Sequence, residues 1–145
     1  MKQSKKEVEL NYDAIDLYNI VLNIEEYPLY IPWCSKIEVI EKKQNKIKAN
    51  MFVDYKIFPT QKFTSQVLFY SNKKIIETYY VDGPLKNLFT KWEFVQLSSK
   101  HSKIIFTVGF EFKSFMHQKL AELFFPLIED KMINSFIKRA NSTLN

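Results

Sequence analysis

The stretch Ser102-Lys103-Ile104-Ile105-Phe106-Thr107-Val108-Gly109-Phe110-Glu111-Phe112-Lys113-Ser114 decides the fold. Its apolar period is two: Ile104, Phe106, Val108, Phe110 and Phe112 share one face, while Ile105, Thr107, Gly109 and Glu111 share the other. That alternation is a β-strand with one strongly apolar face. Gly109 inside it predicts a bulge, a bend or a close backbone approach. After Ser114, an N-cap by residue type, the period becomes 3.6, and 115–140 reads as one long helix. Leu120, Phe124, Leu127, Met132 and Phe136 form much of its apolar stripe, and Pro126 predicts a kink or break near its middle. Leu123, Phe124, Phe125, Leu127 and Ile128 are apolar on nearly every side, so the rest of the chain must grip this helix.

Working towards the N-terminus, period two persists over 37–41, 46–55, 62–70, 75–81 and 86–97, with turn-like residues between the runs. Connections this short make successive strands antiparallel hairpin neighbours. Before them, Val8 and Leu10 alternate with Glu7 and Glu9 as an opening strand. Asp13 then supplies an N-cap for a helix carrying Ile15, Leu17, Tyr18, Val21 and Leu22. Pro28 and Pro32 confine the next segment to a short helix or turn. The expected architecture is α+β: a curved antiparallel sheet of about seven strands wrapped around a C-terminal helix, in one domain over 1–145.

Composition excludes several classes. The chain is 46% hydrophobic and 26% charged, with two glycines and five prolines, so it is neither disordered nor of low complexity. No apolar run approaches the ~20 residues of a membrane-spanning helix. The first ten residues lack the apolar core of a secretory signal, and no arginine-rich transit peptide is visible, which points to a bacterial protein, although a mitochondrial one with its presequence cut away would look the same. One cysteine, Cys34, suits a reducing cytoplasm, where it is expected as a buried small hydrophobe at a strand start rather than a nucleophile. Net charge is +5, yet Arg139 is the single arginine among 21 basic residues. Lysines of this kind suit a solvated surface attracted to anionic lipid or RNA better than base reading, so DNA is not an expected partner. His101 and His117 lack partners at metal-ligand spacing, which predicts no metal site. Two glycines cannot build a phosphate-binding loop or dinucleotide fingerprint.

Five segments stand out in order along the chain: Tyr27-Pro28-Leu29-Tyr30-Ile31-Pro32-Trp33-Cys34, Phe63-Thr64-Ser65, Asp82-Gly83-Pro84-Leu85-Lys86, Trp92-Glu93-Phe94 and Phe110-Glu111-Phe112-Lys113-Ser114, with Met132, Phe136 and Arg139-Ala140 in the last helix. In these the chain resembles the helix-grip fold of the START superfamily, including its polyketide cyclase/dehydrase-like branch. More narrowly it is similar to the coenzyme Q-binding protein family and its bacterial relative, the ribosome-association toxin RatA. Leu85 stands where phenylalanine is usual, and the common Tyr-Gly ending after Ala140 is missing.

The aromatic content, 16% with 13 Phe and 8 Tyr, carries most of the functional information. Met51, Val53, Tyr55, Phe63, Trp92, Phe94, Phe106, Val108, Phe110 and Phe112 can share the concave face, opposite Leu120, Phe124 and Leu127. By pattern alone these residues either close-pack a solid core or line a long apolar cavity. The resemblance implies the cavity, holding ubiquinone or a related isoprenoid lipid as ligand, with Trp33 also lining it and Tyr27, Pro28, Ile31 and Pro32 at its entrance. Tyr55, Ser65 and Tyr79 are alternative headgroup contacts. The implied role is a non-catalytic quinone carrier or chaperone with no further cofactor, cytoplasmic and peripheral to the inner membrane. The alternatives are ribosome binding that blocks subunit joining, and a cyclase/dehydrase-type enzyme. The enzyme needs an internal acid or base, for which the sequence offers no pattern.

Overall fold

The computed structural model describes residues 2–54 and 59–145, and the side chains of 3–54, 59–114 and 129–145. The strand that decides the fold is β7, His101–Glu111, whose inward residues Ile104, Phe106, Val108 and Phe110 are buried. The other elements, in chain order, are β1 (Lys2–Leu10), α1 (Ala14–Leu22), a 3-10 segment (Ile24–Leu29), β2 (Cys34–Lys43), β3 (Lys46–Val53), β4 (Gln61–Tyr70), β5 (Ile75–Asp82), β6 (Asn87–Ser98) and finally α2 (Phe115–Leu144). All pairings are antiparallel in one sheet ordered β1-β7-β6-β5-β4-β3-β2. The expected α+β architecture, a seven-stranded sheet with a long C-terminal helix, is the one observed.

Details depart from the sequence reading for local reasons. Asp13 occupies the N-cap of α1 but makes no side-chain cap there. Its carboxylate instead accepts from Gln96 Nε2 (2.9 Å) and the Lys100 backbone N–H (2.8 Å), while Gln96 Oε1 caps the Ala14 N–H at 2.7 Å. The cap is thus supplied by β6, which pins α1 to the β6–β7 turn. That turn needs the help, because Lys100 adopts φ 54°, a left-handed conformation costly for a residue with a Cβ. Ile15 lies on the outer face of α1 at 42% exposure, and Ala14 takes the inward place. No bulge occurs at Gly109, where both ladders run through without a shift. Instead Phe89 stands directly opposite the bare glycine backbone, a cross-strand aromatic covering a glycine, and packs on Tyr79 at 5.3 Å.

The turn after β5 depends on Gly83, at φ +148°. A Cβ there would meet Tyr80 Oη at 2.8 Å and the Lys62 carbonyl oxygen at 2.9 Å, and Tyr80 Oη already accepts the Leu85 N–H at 2.9 Å. Gly83→Ala is therefore expected to cost about 2 kcal/mol by thermal unfolding. A cost below about 0.5 kcal/mol would mean that the turn relaxes freely.

The core has a closed centre. Tyr18 of α1 meets Phe94 edge-on at 5.9 Å, and Trp92 meets Phe106 at 4.3 Å and Phe136 of α2 at 4.8 Å. Phe136 also takes the rings of Tyr27 and Tyr30, each at 5.4 Å. Tyr18 is 2% exposed, and its hydroxyl has no hydrogen-bond partner among the described residues. Because a buried unpaired hydroxyl is destabilising, Tyr18→Phe should raise stability by about 1 kcal/mol in denaturant titration; a loss instead would reveal a bonded hydroxyl.

Candidate functional site: the concave face of the sheet

The concave face divides into two halves. Trp92, Phe94 and Phe106 belong to the close-packed half, filled by Tyr18, Ile133 and Phe136. Ile133, Phe136 and Ala140 form the inward stripe of α2 here, and Met132, expected in the stripe, is half-buried beside it. The other half collects Met51 and Val53 of β3, Phe63 of β4, and Val108, Phe110 and Phe112 at the end of β7. Met51 pairs with Phe63 across the β3–β4 ladder, and the rings of Phe110 and Phe112 meet at 5.6 Å. Val108 and Phe110 are each 6% exposed, whereas Met51, Val53, Phe63 and Phe112 are half-buried. α2 begins three residues beyond Phe112, so its first half starts at this end of the sheet. Tyr55 and the side chains of Leu120, Phe124, Leu127 and His117 lie outside the described residues.

The expected entrance residues separate in the structure. Trp33 is half-buried, and its carbonyl accepts the Asp54 N–H at 2.9 Å, which holds it at the margin of the outer half. Tyr27 is anchored by its ring on Phe136 and by its hydroxyl, which donates to the Val21 carbonyl. Ile31 is 2% exposed and part of the core, Pro28 is half-buried, and Pro32 is exposed. Arg139 ties this segment to α2 through Glu26 at 2.8 Å and lies over the Tyr30 ring at 5.0 Å. Two surface depressions of about 370 and 250 Å³ lie apart from the concave face's outer half. One lies between the end of α1 and β2–β4, with Lys42 at its rim; the other surrounds Arg139, Glu26 and Tyr30.

Of the headgroup contacts considered, Ser65 faces inward opposite Ala49. Tyr79 stands on the convex face at 42% exposure, on the wrong side of the sheet. Cys34 is buried, and that burial pushes its thiol up to about 11, so it remains protonated near neutral pH and is a poor nucleophile. His101 faces Glu9 at 3.0 Å on the sheet surface. Among the described residues no cluster of His, Cys, Asp or Glu could hold a metal. No helix is long and apolar enough to cross a membrane among the described residues.

Sequence reading missed one group altogether. Glu129 of α2 is 6% exposed and accepts a hydrogen bond from Ser4 Oγ of β1, beside an ion pair of Lys6 with Asp130. The sheet therefore does enclose a carboxyl group. The available signal was the spacing 129, 133, 136, 140, which puts the glutamate on the inward stripe.

The protein-family model described as polyketide cyclase / dehydrase and lipid transport matches residues 10–137. The chain is 26% identical to the ribosome association toxin RatA of Rickettsia prowazekii, over 93% of each chain. It is 30% identical to the mitochondrial coenzyme Q-binding protein COQ10 of Drosophila melanogaster, covering 93% of this chain but only 56% of that one. Among solved structures, the Zhui aromatase/cyclase of a Streptomyces species superimposes with a TM-score of 0.89 at 13% identity, covering 99% of this chain and 96% of that one. A START superfamily protein of Mycobacterium smegmatis gives 0.82 at 18% identity, covering 97% of both. With its sheet, its gripping helix and a family match over most of its length, the chain belongs to the polyketide cyclase / dehydrase and lipid transport family, a START-like fold.

Proposed function

We propose that the protein binds ubiquinone or a related polyprenyl lipid between the outer half of the sheet and α2, and carries it without altering it. The observation that supports this most is the contrast between the two halves of the concave face. Trp92, Phe106 and Phe136 interlock, while Met51, Val53, Phe63 and Phe112 present half-buried apolar surface towards the start of α2. An isoprenoid tail laid on such a surface gains about 0.8 kcal/mol per buried CH₂ equivalent, offset by its lost freedom. The coenzyme Q-binding relative supports the choice of ligand. No covalent step is required, and the relatives' names state binding or association rather than a reaction.

Delivery would involve transient contact of a cytoplasmic bacterial protein with the inner membrane, its lysines each contributing on the order of 1 kcal/mol at an anionic surface. Organic extraction of the natively expressed protein followed by mass spectrometry tests the reading. A stoichiometric quinone or polyprenyl lipid is expected. An empty protein that also refuses added quinone overturns it.

One observation favours a second reading, association with the ribosome. The β2–β3, β4–β5 and β6–β7 hairpins turn at the same end of the sheet, and exposed Lys43, Lys46, Lys73 and Lys100 stand at their tips. Such a ridge suits RNA phosphates, and the RatA relatives support that partner. Co-sedimentation with ribosomal subunits that falls steeply with salt is its expected signature; no co-sedimentation at low salt removes it.

A further inference from the structure

A buried carboxylate interrupts the inward stripe of α2. Glu129, Ile133, Phe136 and Ala140 follow i, i+4, i+7 and i+11, and are 6%, 3%, 4% and 0% exposed. Among the described residues Glu129 has one hydrogen-bond partner, the Ser4 hydroxyl, which donates to Oε2. Lys6, two residues along β1 from Ser4 and on the same face of the strand, pairs with Asp130. Ser4 stands opposite Val108 in the β1–β7 ladder, so the carboxyl lies beside Val108, where the interlocked aromatic half gives way to the outer half. Burying a carboxylate is costly unless it is well hydrogen-bonded, and among the described residues a single hydroxyl leaves most of its acceptor sites unused. A leucine would complete the stripe without that cost.

We propose that Glu129, steadied by Ser4, is the polar anchor of the internal site and accepts a hydrogen bond from a hydroxyl on the ligand's ring or head. The inference rests on the sheet–helix binding site proposed above and specifies its chemistry. The Ser4 hydroxyl donates to Oε2, so the carboxyl stands here as an acceptor, with lone pairs left over for a ligand. It therefore selects a ligand that donates, and among quinone-type lipids it favours the reduced dihydroxy form over the dione, which has acceptors alone. A few placed polar groups in an otherwise apolar pocket are what fix orientation and specificity.

The probes are 4-propylphenol and propylbenzene, which differ by one hydroxyl, titrated calorimetrically into the delipidated full chain. The phenol should bind about tenfold more tightly, the scale of one hydrogen bond. In Glu129→Leu the order should reverse, because a hydroxyl entering a wholly apolar site sheds its water without recompense. Glu129→Gln should fall between. Equal binding of both probes by the wild type, or a phenol preference that survives Glu129→Leu, overturns the role of Glu129 and leaves the binding site standing. Failure of both probes to bind removes the site and the anchor together. Should Glu129→Leu not fold, the wild-type ratio and Glu129→Gln still decide.

Discussion

Phe136→Ala should destabilise the protein by about 4 kcal/mol, the range for truncating a large buried aromatic. Phe136 is 4% exposed and is shared by Trp92, Tyr27 and Tyr30, with centroid distances of 4.8, 5.4 and 5.4 Å. These rings come from β6, from the 3-10 segment and from the turn just after it, so one side chain on α2 holds three parts of the chain together. The loss is a large fraction of the roughly 5–15 kcal/mol that stabilises a domain. For a domain of this length it corresponds to a fall of about 12 °C in Tm. Calorimetric or circular-dichroism melting measures it. A fall under about 4 °C would mean that Trp92 and Tyr27 collapse into the space, and that the closed half is less rigidly packed than its ring geometry implies.

Phe63→Asp should abolish lipid retention, by a factor of about a hundred or more, while the chain still folds. Phe63 is half-buried on the concave side opposite Met51, so an aspartate has some access to water when the site is empty. Covering it with an isoprenoid chain would strip that water from a charge with no partner. Val81→Asp is the matched control: Val81 is 49% exposed on the convex face and should leave retention unchanged. Extraction of both purified variants, read against their melting curves, gives the comparison. A folded Phe63→Asp protein that keeps its lipid would place the ligand elsewhere, and the depression of about 370 Å³ between α1 and β2–β4 would become the next site to probe.

The strands were legible because each buries one face. Every even position from 104 to 112 is apolar, and the burial of β7 alternates residue by residue from Ser102 to Val108. The short turns implied hairpins, and every neighbour pair is antiparallel. Local capping was less legible. Asp13 has the right residue type for a cap, but Lys100 and Gln96 compete for its carboxylate from more than 80 residues away. The sequence pattern runs the helix stripe through Met132, whereas Ile133 takes the inward place. A helical pattern tolerates a rotation of a fraction of a turn, and only packing against the sheet settles it. Tyr79 shows the same limit in a strand: its hydroxyl suits a headgroup, but the register turns it to the convex face.

Periodicity and turn chemistry are local properties of the chain, and from them follow the order and type of the elements, the antiparallel sheet and the long helix against it; the motifs quoted at the outset carry the family. How the concave face is shared out depends on packing between segments far apart in the chain. Trp92, Phe94, Phe106 and Phe110 are equivalent as an alternating pattern. Yet the first three are sealed by Tyr18, 74 residues before Trp92, and by Phe136, 30 residues after Phe106. Likewise, a glutamate among charged neighbours at 129–131 reads as surface until β1 brings Ser4 against it and Lys6 against Asp130. Burial depends on what the rest of the chain places opposite a residue, and for Glu129 that is a strand 125 residues away.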